Sequence, residues 1–138
     1  GWRLAAPRGH PLANRAAAGG AELSGRRLMV LEPGHCLQRH ALESLPEARL
    51  AAEEDFAATS LPTLAAMVEQ GLGLTLLPEL AVDAGVARGH ALALPELPGA
   101  TPRTVALAWR RSSASAELHR RIGRLLREAR EALAREAG

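Results

Sequence analysis

An α/β fold is predicted by three features of the sequence. Short apolar runs recur along the chain, at Arg27–Leu31 (RLMVL), Gly73–Leu77 (GLTLL) and Arg103–Trp109. Segments with apolar residues at helical spacing fall between and after them, at His35–Leu45, Leu61–Val68 and Ser115–Ala134. Gly and Pro punctuate the changeovers, as in Glu32-Pro33-Gly34 and at Gly71. Strands that alternate with helices predict a largely parallel sheet.

Taken in order, Trp2–Ala6 reads as a strand that runs into the turn Pro7-Arg8-Gly9-His10-Pro11. Gly19 and Gly20 mark a loop. Arg27–Leu31 is a strand closed by Glu32-Pro33-Gly34, and a helix over His35–Leu45 ends near Pro46. Phe56–Ala58 forms only a short strand candidate. Thr59-Ser60 then supplies an N-cap for a helix whose apolar positions are Leu61, Leu64, Ala65 and Val68, with Pro62 in the first turn and Gly71 as its stop. The continuous apolar run Gly73–Leu77 fits a strand covered on both faces. A short helix follows from Pro78 to Gly85. His90–Leu94 and Arg103–Trp109 are further strands, separated by a loop carrying Pro95, Pro98 and Pro102. The last helix has one apolar stripe, Leu118, Ile122, Leu125, Ala129 and Leu133. Its outer face is expected to pair Glu117 with Arg121, Arg124 with Glu128, Arg127 with Glu131 and Glu131 with Arg135 at i,i+4.

At 138 residues the chain amounts to one domain or a large part of one, and can bury roughly two-thirds of its unfolded surface without disulfides. It opens within a strand and without Met, as a fragment of a longer protein would. All 17 basic residues are Arg, and the formal charge is only +2. The total charge therefore does not mark a nucleic-acid surface, and the Arg-rich last helix has glutamates interleaved that nearly cancel it. No apolar run reaches the roughly 18 residues of a membrane span and no signal peptide is visible, so a cytoplasmic location without membrane contact is expected. A single cysteine, Cys36, gives no disulfide framework.

Cys36 is the residue best placed for chemistry. It stands at a helix start, where free N–H groups and the positive end of the helix dipole favour thiolate, the nucleophilic form. His35 and Arg39 add positive charge nearby. The competing interpretation is a small, inert, buried thiol. Cys36 and His40 share a helix face, but zinc needs a third and usually a fourth ligand at recognisable spacing, and none is visible, so no metal site and no cofactor are expected. Thr59 and Ser60 are either an ordinary N-cap or contacts for a small anion. Arg103 is either solvated or a charge partner for a thiolate or an anion.

Several segments resemble LysR-type transcriptional regulators. They are Ala6-Pro7-Arg8-Gly9-His10-Pro11-Leu12-Ala13, Leu23-Ser24-Gly25, and the stretch from Thr59-Ser60-Leu61 through Gly71-Leu72-Gly73-Leu74-Thr75-Leu76-Leu77-Pro78. Leu28–Leu37, with Glu32-Pro33-Gly34-His35-Cys36-Leu37, is similar to the cysteine motif of the peroxide-responsive OxyR subgroup. Phe56–Leu61 and Arg103-Thr104 resemble further segments of that subgroup.

The resemblance implies a periplasmic-binding-protein-like (type 2) regulatory domain of a DNA-binding transcription activator, not an enzyme. Residues 1–104 would form its second subdomain. Residues 105–138 would be the return strand and helix of the first, with the DNA-binding domain outside this chain. It also implies a homo-oligomer, dimer or tetramer, that responds to hydrogen peroxide through Cys36, with His35 and Arg103 in support. The alternative within the family is a small organic effector bound by Thr59, Ser60 and Arg103, with Cys36 passive. The sequence departs from the subgroup at two positions. Leu45 stands where a second, resolving cysteine is expected, and Arg39 stands in place of an Asp. The peroxidase alternative lacks the Thr that peroxiredoxins carry three residues before the cysteine, since Pro33 is there.

Overall fold

The structure, a computed structural model, describes residues 1–137. The chain forms two compact units, Gly1–Arg103 and Thr104–Gly138.

The first unit is built on strands β1 (Trp2–Pro7), β2 (Arg27–Leu31), β3 (Ala51–Ala58), β4 (Thr75–Pro78) and β5 (Leu92–Ala93). Helices α1 (Gly20–Leu23), α2 (Cys36–Glu43), α3 (Leu61–Glu69) and α4 (Glu79–Asp83) connect them, with a 3-10 turn at Pro46–Ala48. β1 is central to an antiparallel sheet, paired with β4 through Leu4–Leu76 and with β5 through Ala6–Ala93. β2 and β3 form a parallel pair. The largely parallel sheet expected from the alternation is therefore mixed, because β1 runs against both of its neighbours. Two bonds stitch the parts together: Met29 N–H donates to Leu74 O at 2.9 Å, and Thr75 Oγ1 donates to Met29 O at 2.7 Å.

Period-2 alternation sorts the strand side chains to two faces. Leu4, Leu28, Val30 and Leu76 point into one core, with Ala41 and Leu45 from the α2 side. Ala5, Met29, Leu31 and Leu77 point into the other, with Leu64 and Val68 of α3. Burying each Leu or Val contributes roughly 1.5–3 kcal/mol. Helical layers thus cover both faces, which explains why the strands read as continuous apolar runs.

Local departures have local causes. Gly19 and Gly20 begin the one-turn helix α1 instead of a loop, since the Glu22 carboxylate accepts from Gly19 N–H at 2.9 Å. β3 is longer than Phe56–Ala58. Its middle carries the acidic run Glu53-Glu54-Asp55, which hides the strand pattern, and its register against β2 shifts between Leu28 and Val30. The turn after β1 closes with His10 N–H on Pro7 O at 2.9 Å, and the His10 ring Nδ1 accepts from Leu12 N–H at 3.2 Å.

The second unit is helix α5 (Ala116–Ala137) and the segment before it. The strand expected over Arg103–Trp109 does not form. Its alternating pattern has no ladder partner among the described residues, and Val105, Leu107 and Trp109 remain exposed. Instead Trp109 stacks at a tilt on His119 of α5, with ring centroids 5.6 Å apart, and Ser113 Oγ lies 3.2 Å from His119 Nε2. Glu117 reaches Arg120 at 3.3 Å and Arg124 at 3.8 Å, not the expected Arg121. Within this unit the stripe residues Leu118, Ile122 and Leu125 are exposed, as is Leu126. Among the described residues no helix is long and apolar enough to cross a membrane.

Candidate functional site

The candidate site grows from the end of the parallel pair. Glu32 N–H donates to Ala58 O at 3.0 Å, so β2 and β3 finish side by side. Each strand then hands over to a helix, β2 to α2 and β3 to α3, so both helix N-termini rise at the same edge. That edge, beyond the carboxyl ends of parallel strands, is where α/β proteins place ligand chemistry.

The first handover is a tight turn. Pro33 and Gly34 occupy its centre, Gly34 has φ +100°, and His35 N–H closes the turn on Glu32 O at 3.2 Å. A left-handed φ at this position favours glycine over any residue with a Cβ. His35 caps α2 with extended backbone and no side-chain bond, and Cys36 is the first helical residue. Both side chains are exposed. The thiol therefore reaches solvent at a helix start, where the first N–H groups lack the i−4 acceptor of a helix interior and Gln38 N–H turns to His35 O at 3.1 Å. Leu37, the next residue, turns inward against both cores.

The second handover is a hydroxyl cap. Ser60 has extended backbone, and its Oγ accepts from Thr63 N–H at 3.3 Å and lies 2.9 Å from Thr63 Oγ1. Of the Thr59–Ser60 pair, it is Ser60 that caps α3. Leu37 and Gln38 of α2 and Leu61 and Leu64 of α3 line a common void of about 10 Å³.

Arg103 lies elsewhere. It lines a larger cavity with His40, Glu43 and Ser44, the last turn and C-cap of α2, rather than with Cys36 at the first. Leu45, at the position of the missing second cysteine, is 5 % exposed in the core. It is separated from Cys36 by the whole of α2, about 10 Å of helix at 1.5 Å per residue. Sulfurs at these two positions could not bond while α2 is intact, because a disulfide needs Cα atoms within about 7 Å. Among the described residues no three His, Cys, Asp or Glu side chains cluster as a metal site would require.

The model of the LysR substrate binding domain matches residues 2–131. The chain belongs to the LysR substrate-binding domain family. Among curated relatives of this LysR domain, the hydrogen peroxide-inducible genes activator of Dickeya chrysanthemi is 41 % identical over 111 residues, covering 80 % of this chain and 36 % of that protein. The DNA-binding transcriptional dual regulator OxyR of Escherichia coli K12 is 42 % identical over 104 residues, covering 75 % and 34 %. The chain thus spans about a third of the length of these relatives, which are transcription regulators rather than enzymes. Among solved structures, the reduced form of OxyR matches with a TM-score of 0.74 at 35 % identity, covering 94 % of this chain and 59 % of that one. A cysteine-to-serine mutant of Corynebacterium glutamicum OxyR with H2O2 bound matches with a TM-score of 0.80 at 26 % identity, covering 99 % and 44 %. The periplasmic-binding-protein-like α/β class expected from the sequence is the class of this LysR family.

Proposed function

We propose that this LysR domain is a peroxide-sensing regulatory domain of a DNA-binding transcription regulator, and that Cys36 is its reacting atom. The observation that carries the reading is the exposure of Cys36 at the first position of α2, directly after His35. A thiolate there attacks one peroxide oxygen. The S–O bond forms as the O–O bond breaks, and the departing hydroxide takes up a proton to become water. The product is a sulfenic acid. With no second cysteine in the chain, a small cellular thiol condenses with it to a mixed disulfide and releases a second water. Either product places a bulkier polar group at the start of α2, whose next residue, Leu37, is partly buried against both cores. A shift of α2 is the two-state element such a switch needs. In this reading His35 supports the site electrostatically, while Arg103, at the far end of α2, joins it only if α2 shifts. Residues 1–104 form the second regulatory subdomain, and residues 105–138 return to the first. DNA is bound through another part of a cytoplasmic homodimer or homotetramer.

The test is mass spectrometry of the chain after one equivalent of hydrogen peroxide. One added oxygen on Cys36, trapped by a sulfenate-specific reagent and absent from Cys36→Ser, is the expected result. Cys36 left as thiol under conditions that oxidise other sensor thiols would end the reading.

A second reading stays within the same family, which also includes the HTH-type transcriptional regulator EstR of Acinetobacter baylyi, 42 % identical over 93 residues, covering 67 % of this chain and 31 % of that protein. Here the domain binds a small organic effector through Thr59 and Ser60, while Cys36 is passive; Arg103, expected from the sequence to share this site, lines a separate cavity at the far end of α2. Thermal shift against a metabolite panel separates the two, because an effector shift would survive Cys36→Ser.

A further inference from the structure

We propose that the cavity at the far end of α2 is a binding site for a small zwitterion carrying one carboxylate and one ammonium group, of the size of free glycine. The cavity holds about 150 Å³. The cavity opens to solvent on one side, and its space is enough for a small molecule of several heavy atoms.

The walls are built and their own polar groups are spent. Trp2 is 2 % exposed, and its indole N–H donates to Thr101 O at 3.0 Å. Ser44 is equally buried, and its hydroxyl donates to Ala41 O at 2.7 Å. Thr101 N–H donates to Ser44 O at 2.7 Å, which pins the loop before Arg103 against the end of α2. The indole, Pro102 and these satisfied groups form a fixed, mainly apolar floor.

The ionisable groups around that floor make no bond within the described residues, and Glu43 and Arg103 among them are exposed. The side chains of His40, Glu43 and Arg103 line the cavity, and none has a hydrogen-bond or ion-pair partner among the described residues. One guanidinium and one carboxylate share the space without pairing with each other. A simple anion would be drawn by Arg103 and repelled by Glu43, and a simple cation would meet the reverse. A molecule with both charges satisfies both groups, with the carboxylate in the Arg103 fork and the ammonium on Glu43. Neither Thr59, Ser60 nor Cys36 lines this cavity. The site is therefore separate from both readings given above, sharing only Arg103 with the first.

Trp2 is the natural reporter, since the chain has only two tryptophans and Trp109→Phe leaves it alone. Its fluorescence would be followed during titration with glycine, and separately with acetate and with methylammonium. The expected result is a saturable change with glycine and none with either half-molecule at the same concentration. Glu43→Gln and Arg103→Gln, confirmed as folded by circular dichroism, should each weaken glycine binding about tenfold or more, the loss of one charge-assisted bond. Cys36→Ser should bind as the parent does. No saturation with glycine, or equal binding of acetate, would overturn the proposal, and this comparison needs no site variant. Unchanged affinity in both charge variants would overturn it too.

Discussion

Glu69 at the end of α3 clasps His90 on the approach to β5. Its Oε2 lies 2.7 Å from His90 Nδ1, and its Oε1 accepts from Ala91 N–H, also at 2.7 Å. The Ala91 N–H, and after it the His90 ring, holds the Glu69 carboxyl below its ordinary value of 4.5. A carboxylate whose folded pKa is depressed contributes stability above its unfolded pKa and loses it as pH falls through the folded value. Glu69→Ala should therefore lower Tm at neutral pH. The gap between the two proteins should close as pH drops below about 4.5 and on through the lower folded value. Thermal melts at a series of pH values check this. A gap that stays constant down to strongly acid pH would show that the carboxylate charge is not involved.

Gly73 precedes β4 where the backbone passes over Met29. A Cβ added there would stand 2.9 Å from Met29 Cγ and 3.1 Å from Sδ. Met29 is 1 % exposed and has little room to move. Gly73→Ala should cost about 1–3 kcal/mol by overpacking, measured by urea unfolding. In the double variant with Met29→Ala the costs should be less than additive, because the smaller side chain removes the clash.

Thr75 is a buried polar residue whose hydroxyl is fully used on Met29 O. Thr75→Val keeps the shape and strands that carbonyl. A loss of about 1–2 kcal/mol in urea unfolding is expected. A loss below a few tenths would mean that the carbonyl finds another donor.

Ser60 is the side-chain cap of α3. Ser60→Ala should destabilise by about 1 kcal/mol, and Ser60→Gly by only a few tenths. Thr59→Ala should have a smaller effect than Ser60→Ala, since the structure gives the capping bond to Ser60. Equal losses at both positions would argue against this division of roles.

The sequence was most informative where one local rule decides the outcome. Arg27–Leu31 is a strand with the bounds its apolar run predicts, and Gly34 and Ser60 fulfil the turn and cap roles their residue types imply. It misled where tertiary pairing decides. Glu53-Glu54-Asp55 hid half of β3, which forms because β2 offers it a partner. Val105–Trp109 has the composition of a strand, but strand formation requires a ladder that the described residues do not supply. The candidate site divides the same way. The position of Cys36 at a helix start follows from Pro33-Gly34 nearby in the chain. The gathering of Arg103, Glu43 and His40 does not, because it depends on a loop some sixty residues later folding back onto α2, and no spacing rule encodes that.

Where the parallel pair meets the antiparallel sheet, Met29 makes two bonds, to residues 74 and 75. The join is braced elsewhere as well: Leu4, Leu28, Val30 and Leu76 share one core, Ala5, Met29 and Leu77 share the other, and Trp2 holds Thr101, which in turn holds Ser44 at the end of α2. A push that begins at the β2–β3 edge is therefore handed to β1 and β4 through packed side chains on either face as well as through Met29.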